Sequence, residues 1–356
     1  MQIKLPAPYP DPKAYQSIFK RGLKRFPKRR ENYERYQQSI RGLEVDYLPV
    51  LMDIEPVSRC NFRCSMCQVS EWQGGKRADD MPFNDYKQLI EKFYGLVEVK
   101  IQGLGEPLFH PNLFDMIALA CKKDIWTRLT TNASLLHLKN NYKKLIDANP
   151  GEVQVSIDGA TKEVFENIRK GSDFKTVVKN ATILNGYDQL SGNSKTRSWT
   201  VVQKANLHQL KDIIRLGVKM KFRRMSFSIA VSYFGMDKWS KKNSSIDVSQ
   251  MFSQEMGEEM IELGNEYGIE ITFWDGSAKY KLNGNPNDRC AWLWERAYIS
   301  SDLRIVPCCV LSNPDIMDIG SMRHFVQVWN SERYKRLRDA HLKGCIPNFC
   351  KNCYNL

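Results

Sequence analysis

Three cysteines crowd one loop, Cys60-Asn-Phe-Arg-Cys64-Ser-Met-Cys67. The spacing C-x3-C-x2-C lets a compact loop present three thiolates to three irons of a cubane cluster. No fourth cysteine follows at a matching interval. One iron would stay open, and an open metal position is where a substrate binds. Zinc is the alternative, but structural zinc wants four closed ligands, often as two dyads.

A second set lies near the C-terminus: Cys290, Cys308, Cys309, Cys345, Cys350 and Cys353. A predicted hairpin, Tyr298–Ser300 and Leu303–Val306 around Ser301-Asp302, would bring Cys290 near Cys308. Cys350-Lys-Asn-Cys353 is a C-x2-C pair. Two distant pairs give four thiolates, and spacing alone reads as a zinc ribbon.

The elements that must position these residues alternate in type. Strands are expected at Leu51–Ile54, Val97–Ile101, Thr127–Thr131, Val153–Ile157, Ser198–Val202 and Met225–Ile229. Helices are expected at Phe83–Phe93, Leu113–Cys121, Lys162–Arg169, Phe174–Leu184 and Leu207–Leu216. Such alternation implies a parallel sheet with ligands at the C-terminal strand ends. Gly105-Glu106-Pro107, Asn132 and Asp158 stand at those ends. Four segments follow: a basic helical extension over 1–50, an α/β unit over 51–230, a connecting segment over 231–285 and a cysteine-rich unit over 286–356. The connecting segment holds a predicted helix, Val248–Tyr267, and a strand, Ile269–Phe273.

The chain has 356 residues, 42% of them hydrophobic, enough for one large domain and a smaller one. No apolar run is long enough for a transmembrane helix, and the N-terminus lacks a secretory h-region. Closely spaced cysteines suit a metal better than disulfides, which implies a reduced, cytoplasmic compartment. Net charge is +13, and residues 1–43 alone hold eleven Lys/Arg against three Asp/Glu. Lys20, Arg21, Lys24, Arg25, Lys28, Arg29 and Arg30 form the centre of this arm. It reads either as a solvated helical arm or as an anion-binding face. No nucleic-acid motif accompanies it.

The three-cysteine loop, its place after the first strand and the Gly-Glu-Pro that follows resemble the radical S-adenosylmethionine (SAM) superfamily. The resemblance implies a partial (β/α)6 TIM-like barrel, a SAM-binding [4Fe–4S] cluster on Cys60, Cys64 and Cys67, and a 5′-deoxyadenosyl radical that abstracts hydrogen. It implies SAM contacts from Gly105, Glu106, Pro107, Met66, Asn132, Ser156, Asp158, Arg169 and Gln203. Leu104 stands where the family usually has the first glycine of its Gly-Gly-Glu-Pro loop. Cys290-x3-Trp, Pro-Cys308-Cys309, Asp318-Ile319-Gly320 and the closing C-x2-C are similar to the SPASM/twitch extension. That resemblance implies one auxiliary [4Fe–4S] cluster on Cys290, Cys308, Cys350 and Cys353, with Cys345 as a replacement for Cys350. Cys309 and Cys345 are the candidate hydrogen donors.

The expected outcome is oxidation or epimerisation of a small polar, carbohydrate-like substrate, phosphorylated or nucleotide-linked. A peptide, crosslinked, oxidised or epimerised, is the alternative substrate. An iron–sulfur electron carrier or metal-stabilised binding module is the remote one. A flavodoxin or ferredoxin would deliver the electron.

Overall fold

A computed structural model describes residues 4–275, 280–282 and 285–354. The chain begins with α1 (Pro12–Arg25) and α2 (Pro27–Gln38), separated at the proline that the sequence marks as a break. Then come β1 (Leu51–Ile54), β2 (Arg63–Cys64), α3 (Phe83–Lys92), β3 (Glu98–Ile101), α4 (Leu113–Lys122) and β4 (Trp126–Thr131). They are followed by α5 (Asn141–Asp147), β5 (Glu152–Ser156), α6 (Lys162–Ile168), β6 (Arg169–Lys170), α7 (Phe174–Leu190), β7 (Thr196–Val201), α8 (Leu210–Lys219) and β8 (Arg224–Ser228).

Six strands, β1, β3, β4, β5, β7 and β8, pair in parallel in that order and form the partial (β/α)6 barrel. Fully covered parallel sheets read as continuous apolar runs. These strands alternate instead, as in Glu98-Val99-Lys100-Ile101. Met52, Ile54, Val99, Ile101, Leu129, Val153 and Val155 face the helices and join the core. Each such side chain contributes about 1.5–3 kcal/mol when fully buried. The opposite face turns Asp53, Glu98, Lys100, Arg128, Glu152 and Gln154 inward, so the lumen is polar.

The sheet extends beyond these six strands. After α9 (Asp237–Ser244) and α10 (Gln254–Glu266), β9 (Glu270–Trp274) adds in parallel to β8. The strand predicted at Ile269–Phe273 is therefore a seventh parallel strand. The helix predicted over 248–267 starts only at Gln254, because the Ser253 side chain caps it by accepting from Met256 N.

Past α11 (Trp292–Glu295), β10 (Arg296–Ile299) pairs in parallel with β1 at the other edge. It turns into antiparallel β11 (Arg304–Val306), and β12 (Gly320–Ser321) pairs with β11. The predicted hairpin is present, but its first strand is stitched into the barrel sheet. Short α12 (Phe325–Trp329) and α13 (Glu332–Leu342) complete the C-terminal segment. Leu311 and Phe349 of this segment pack against Gly235, which follows β8. The segment thus spans the seam between the two ends of the sheet.

The N-terminal arm is fastened across the floor of the barrel. Tyr15 meets Trp126 edge to face at 5.3 Å. Arg21 and Arg25 both reach Asp124, at 2.6 and 3.2 Å, and Arg29 donates to Lys123 O at 2.7 Å. Pro6 O and Tyr9 O accept from Phe273 N and Arg197 Nη2. The arginines of the basic stretch hold protein partners, whereas Lys20, Lys24 and Lys28 face solvent. No helix among the described residues is long and apolar enough to cross a membrane.

Candidate functional site: two thiol clusters facing a polar barrel

The three-cysteine loop leaves β1 and is held by a two-residue ladder. β2 pairs antiparallel with β6, which sets Cys64 opposite Arg169. Arg169 Nη1 stands 4.0 Å from Cys64 Sγ, and its Nη2 meets Asp158 at 2.7 Å. This guanidinium is 7% exposed, so it is not the surface helix charge that its neighbourhood in sequence allows. The Asp158 carboxylate also accepts from Val201 N at 2.8 Å. Burial pushes the Asp158 carboxyl upward and Arg169 pulls it back.

The glycine-rich loop after β3 presses against the same turn. A Cβ at Gly105 would stand 2.3 Å from Val57 O and 2.7 Å from Arg59 O, so no larger residue fits. Glu106 N donates to Arg59 O at 2.9 Å. The Glu106 carboxylate accepts from Thr131 Oγ1 and Asn132 N at 2.7 Å and from Leu108 N at 3.2 Å. It is therefore a strut between the β3 loop and the end of β4, leading into buried Pro107. Asn132 Nδ2 in turn donates to Asn61 Oδ1 at 3.0 Å and lies 3.7 Å from Cys60 Sγ. Met66 is buried in the cysteine loop itself, Ser156 ends β5 and Gln203 follows β7, and Gln203 Nε2 has no partner.

A clamp not foreseen from sequence joins this site to the C-terminal segment. Glu55, fully buried after β1, accepts from Leu104 N and from Ser301 N, each at 3.1 Å. Arg77 pairs with Glu55 and with Asp302, each at 2.9 Å. Leu104, the departure in the glycine loop, thus contributes its backbone N–H to the clamp. Its pairing depends on the β1–β10 register, which brings Ser301 and Asp302 beside Glu55.

Among the distal cysteines, Cys290, Cys308, Cys309, Cys350 and Cys353 line one cavity, and Cys345 does not. Cys345 is exposed, so the structure favours Cys350 as the partner of Cys353 in this cavity. The cavity has a volume of about 30 Å³ and opens partly to solvent. Tyr233 Oη lies 3.5 Å from Cys353 Sγ, and Tyr280 is hydrogen-bonded to Cys290. Asn313 Nδ2 donates to Gln68 Oε1 at 3.0 Å, which ties the loop after Cys308 to the residue after Cys67.

Both thiol sets fit iron–sulfur ligation by their donor chemistry. Burial pushes the Cys60, Cys67 and Cys290 thiols up to about 12 and raises Cys308 as well. Such thiols stay protonated and inert unless a metal takes the proton's place. No three His, Cys, Asp or Glu side chains among the described residues converge on a single ion. Cubane ligands bind different irons and need no such convergence.

Residues 54–217 match the family model of the radical SAM superfamily, and residues 290–354 match that of an iron-sulfur cluster-binding domain, SPASM. The chain is 23% identical over 333 residues to the PqqA peptide cyclase of Bradyrhizobium diazoefficiens, covering 86% of this chain and 79% of that protein. It is 28% identical over 268 residues to the GTP 3′,8-cyclase of Staphylococcus carnosus, covering 70% and 75%. Among solved structures, Streptococcus suis SuiB bound to its precursor peptide SuiA superposes with a TM-score of 0.65 at 16% identity, covering 88% of this chain and 70% of that one. The chain therefore belongs to the radical SAM superfamily, ends in a SPASM domain, and has SAM, a [4Fe–4S] cluster and auxiliary iron–sulfur as its cofactors.

Proposed function

We propose that this radical SAM enzyme modifies a peptide, withdrawing hydrogen from it to leave a crosslink, an oxidised residue or an epimer. The observation that carries this reading is span. The peptide cyclase matches 86% of the chain, whereas the nucleotide cyclase matches 70%. It favours the alternative substrate read from the sequence, a peptide, over the carbohydrate-like one.

Bound SAM and its cluster supply a carbon radical able to take hydrogen from an unactivated C–H bond. The chain's own residues do the rest. Cys60, Cys64 and Cys67 would hold the iron, and Arg169, kept in line by Asp158, would place its positive charge near the SAM carboxylate. The Gly105-Glu106-Pro107 backbone, braced by Glu106, takes the SAM amino group. Ser156, Asn132, Met66 and Gln203 wall the nucleoside. Cys290, Cys308, Cys350 and Cys353 would hold one auxiliary cluster, whose chemistry would supply an electron acceptor for an oxidative outcome. Cys309 remains the hydrogen-donor candidate, since it lines the cavity and Cys345 does not. A flavodoxin or ferredoxin in a reducing cytoplasm supplies the electron.

The test is anaerobic incubation of the reconstituted enzyme with SAM, a reductant and short peptides encoded beside its gene. A product two hydrogens lighter, or deuterium gained from solvent at one α-carbon, is expected. Turnover of a nucleotide or sugar with every peptide unchanged would overturn the peptide reading.

A further inference from the structure

The barrel lumen is lined by ionised groups whose pairing can be followed strand by strand. Asp53 is held by Arg296 at 2.9 Å, Glu98 by Arg128 at 2.9 Å, and Glu55 by Arg77. Glu152 is shared by Arg197 and Arg224, each at 3.3 Å, and Asp158 is held by Arg169. Every one of these carboxylates has its own arginine. Lys100 stands among them and makes neither an ion pair nor a hydrogen bond within the described residues.

Its position is fixed by register. Lys100 lies beside Asp53 on one side and Arg128 on the other, and Asp53 lies beside Tyr298. Val99, Ile101, Ala297 and Ile299, the alternate residues of these strands, belong to the helix-facing core. Lys100 and Tyr298 therefore share one inward tier. Lys100 keeps partial exposure although its strand neighbours Val99 and Ile101 are sealed, so the surface it exposes belongs to the lumen. Tyr298 Oη is buried with no partner, and so is Gln102 Oε1, just past the end of β3. Both Lys100 and Tyr298 lie within electrostatic reach of Cys309, at the far thiol cluster.

An unmatched ammonium in such a place is costly, and proteins keep buried charges paired. Burial pulls the Lys100 ammonium downward in pKa, against the pull of Asp53. We propose that Lys100, with the Tyr298 hydroxyl, receives a carboxylate carried by the substrate, and so fixes an acidic side chain in the barrel lumen. This rests on the reading of the barrel lumen as a peptide-substrate site. A cation with one hydroxyl donor matches a monoanion. Phosphate recognition favours guanidinium forks, and the arginines here are already engaged.

The test uses the reconstituted wild-type enzyme and limited reductive methylation with labelled formaldehyde, mapped by peptide mass. N-Acetyl-L-glutamic acid α-amide should slow labelling of Lys100 several-fold, and the matching glutamine amide should leave it unchanged. No protection by the carboxylate, or stronger protection by inorganic phosphate, would overturn the proposal. Lys100→Met adds a second arm, read by thermal unfolding at a fixed scan rate. An unmatched charge predicts an unchanged or raised midpoint; a lowered midpoint would make Lys100 a structural counter-ion and overturn the assignment. Failure of the peptide reading shows separately, as wild-type enzyme that forms no product from any peptide while Lys100 labelling still responds to the carboxylate.

Discussion

Arg77 donates to Glu55 at 2.9 Å with the two side chains only 4% and 0% exposed. The same guanidinium reaches Asp302 in the turn between β10 and β11. One residue thereby ties the first barrel strand, the glycine loop and the C-terminal hairpin into a single unit. Removing one partner of a buried pair leaves an uncompensated charge.

Arg77→Met should accordingly lower unfolding stability by about 3–5 kcal/mol in urea titrations of the reconstituted protein. The Glu55→Gln/Arg77→Met double variant should recover part of the loss, because the orphaned charge is gone. Additive losses in that cycle would mean that Glu55 and Arg77 are not coupled.

Glu106 accepts three hydrogen bonds, so Glu106→Gln replaces one acceptor with a donor aimed at an N–H or hydroxyl. The cost should be about 1–3 kcal/mol of stability. SAM affinity, measured by isothermal titration to the reconstituted enzyme, should weaken as the loop loosens. A variant with wild-type stability would show that the strut carries little of the loop's order.

Iron and sulfide content separates the two thiol sets. About eight irons per chain are expected after anaerobic reconstitution, since two cubanes hold four each. The Cys60→Ala/Cys64→Ala/Cys67→Ala variant should fall to about four and form no 5′-deoxyadenosine. Cys353→Ala should also lose the equivalent of one cluster, whereas Cys345→Ala should keep its full iron.

His341 offers a pH test. Burial, with Arg289 adding to it, holds its imidazole at about 4, below the ordinary value of 6.5. The native side chain is neutral, its Nδ1 2.8 Å from the Tyr354 hydroxyl, and the unfolded chain takes up the proton first. The stability that this neutral ring contributes is complete above about pH 6.5 and is lost as pH falls toward 4, on the order of 3 kcal/mol. His341→Gln should flatten that part of the urea-midpoint profile. An unchanged slope would place the acid sensitivity elsewhere.

Much of the barrel was legible because alternation leaves a signature. Glu98-Val99-Lys100-Ile101 shows one apolar and one polar face within four residues. The thiol loop was legible because its ligands are contiguous. What the sequence hid were relations between distant residues. The β2–β6 ladder that sets Arg169 beside Cys64 is only two residues per strand, too short for any periodic signal. The pairing of β10 with β1 joins segments from opposite ends of the chain, so a hairpin could be foreseen and its docking could not. The basic arm looked like a free charged surface because charge density does not reveal partners, and Asp124 is a single acidic residue within a basic stretch. α5 was missed because Asn141–Asp147 is short and begins with polar residues.

That β1 lies between β3 and β10 has a consequence for how the chain is born. Leu51–Ile54 emerge early, but the strand that completes one of their edges, Arg296–Ile299, emerges on the order of tens of seconds later at typical synthesis rates. Until then β1 offers unpaired backbone groups to any passing strand. Closing so long a loop is slow, and it makes the nascent enzyme dependent on reaching its last sixth before the first barrel strand is safe.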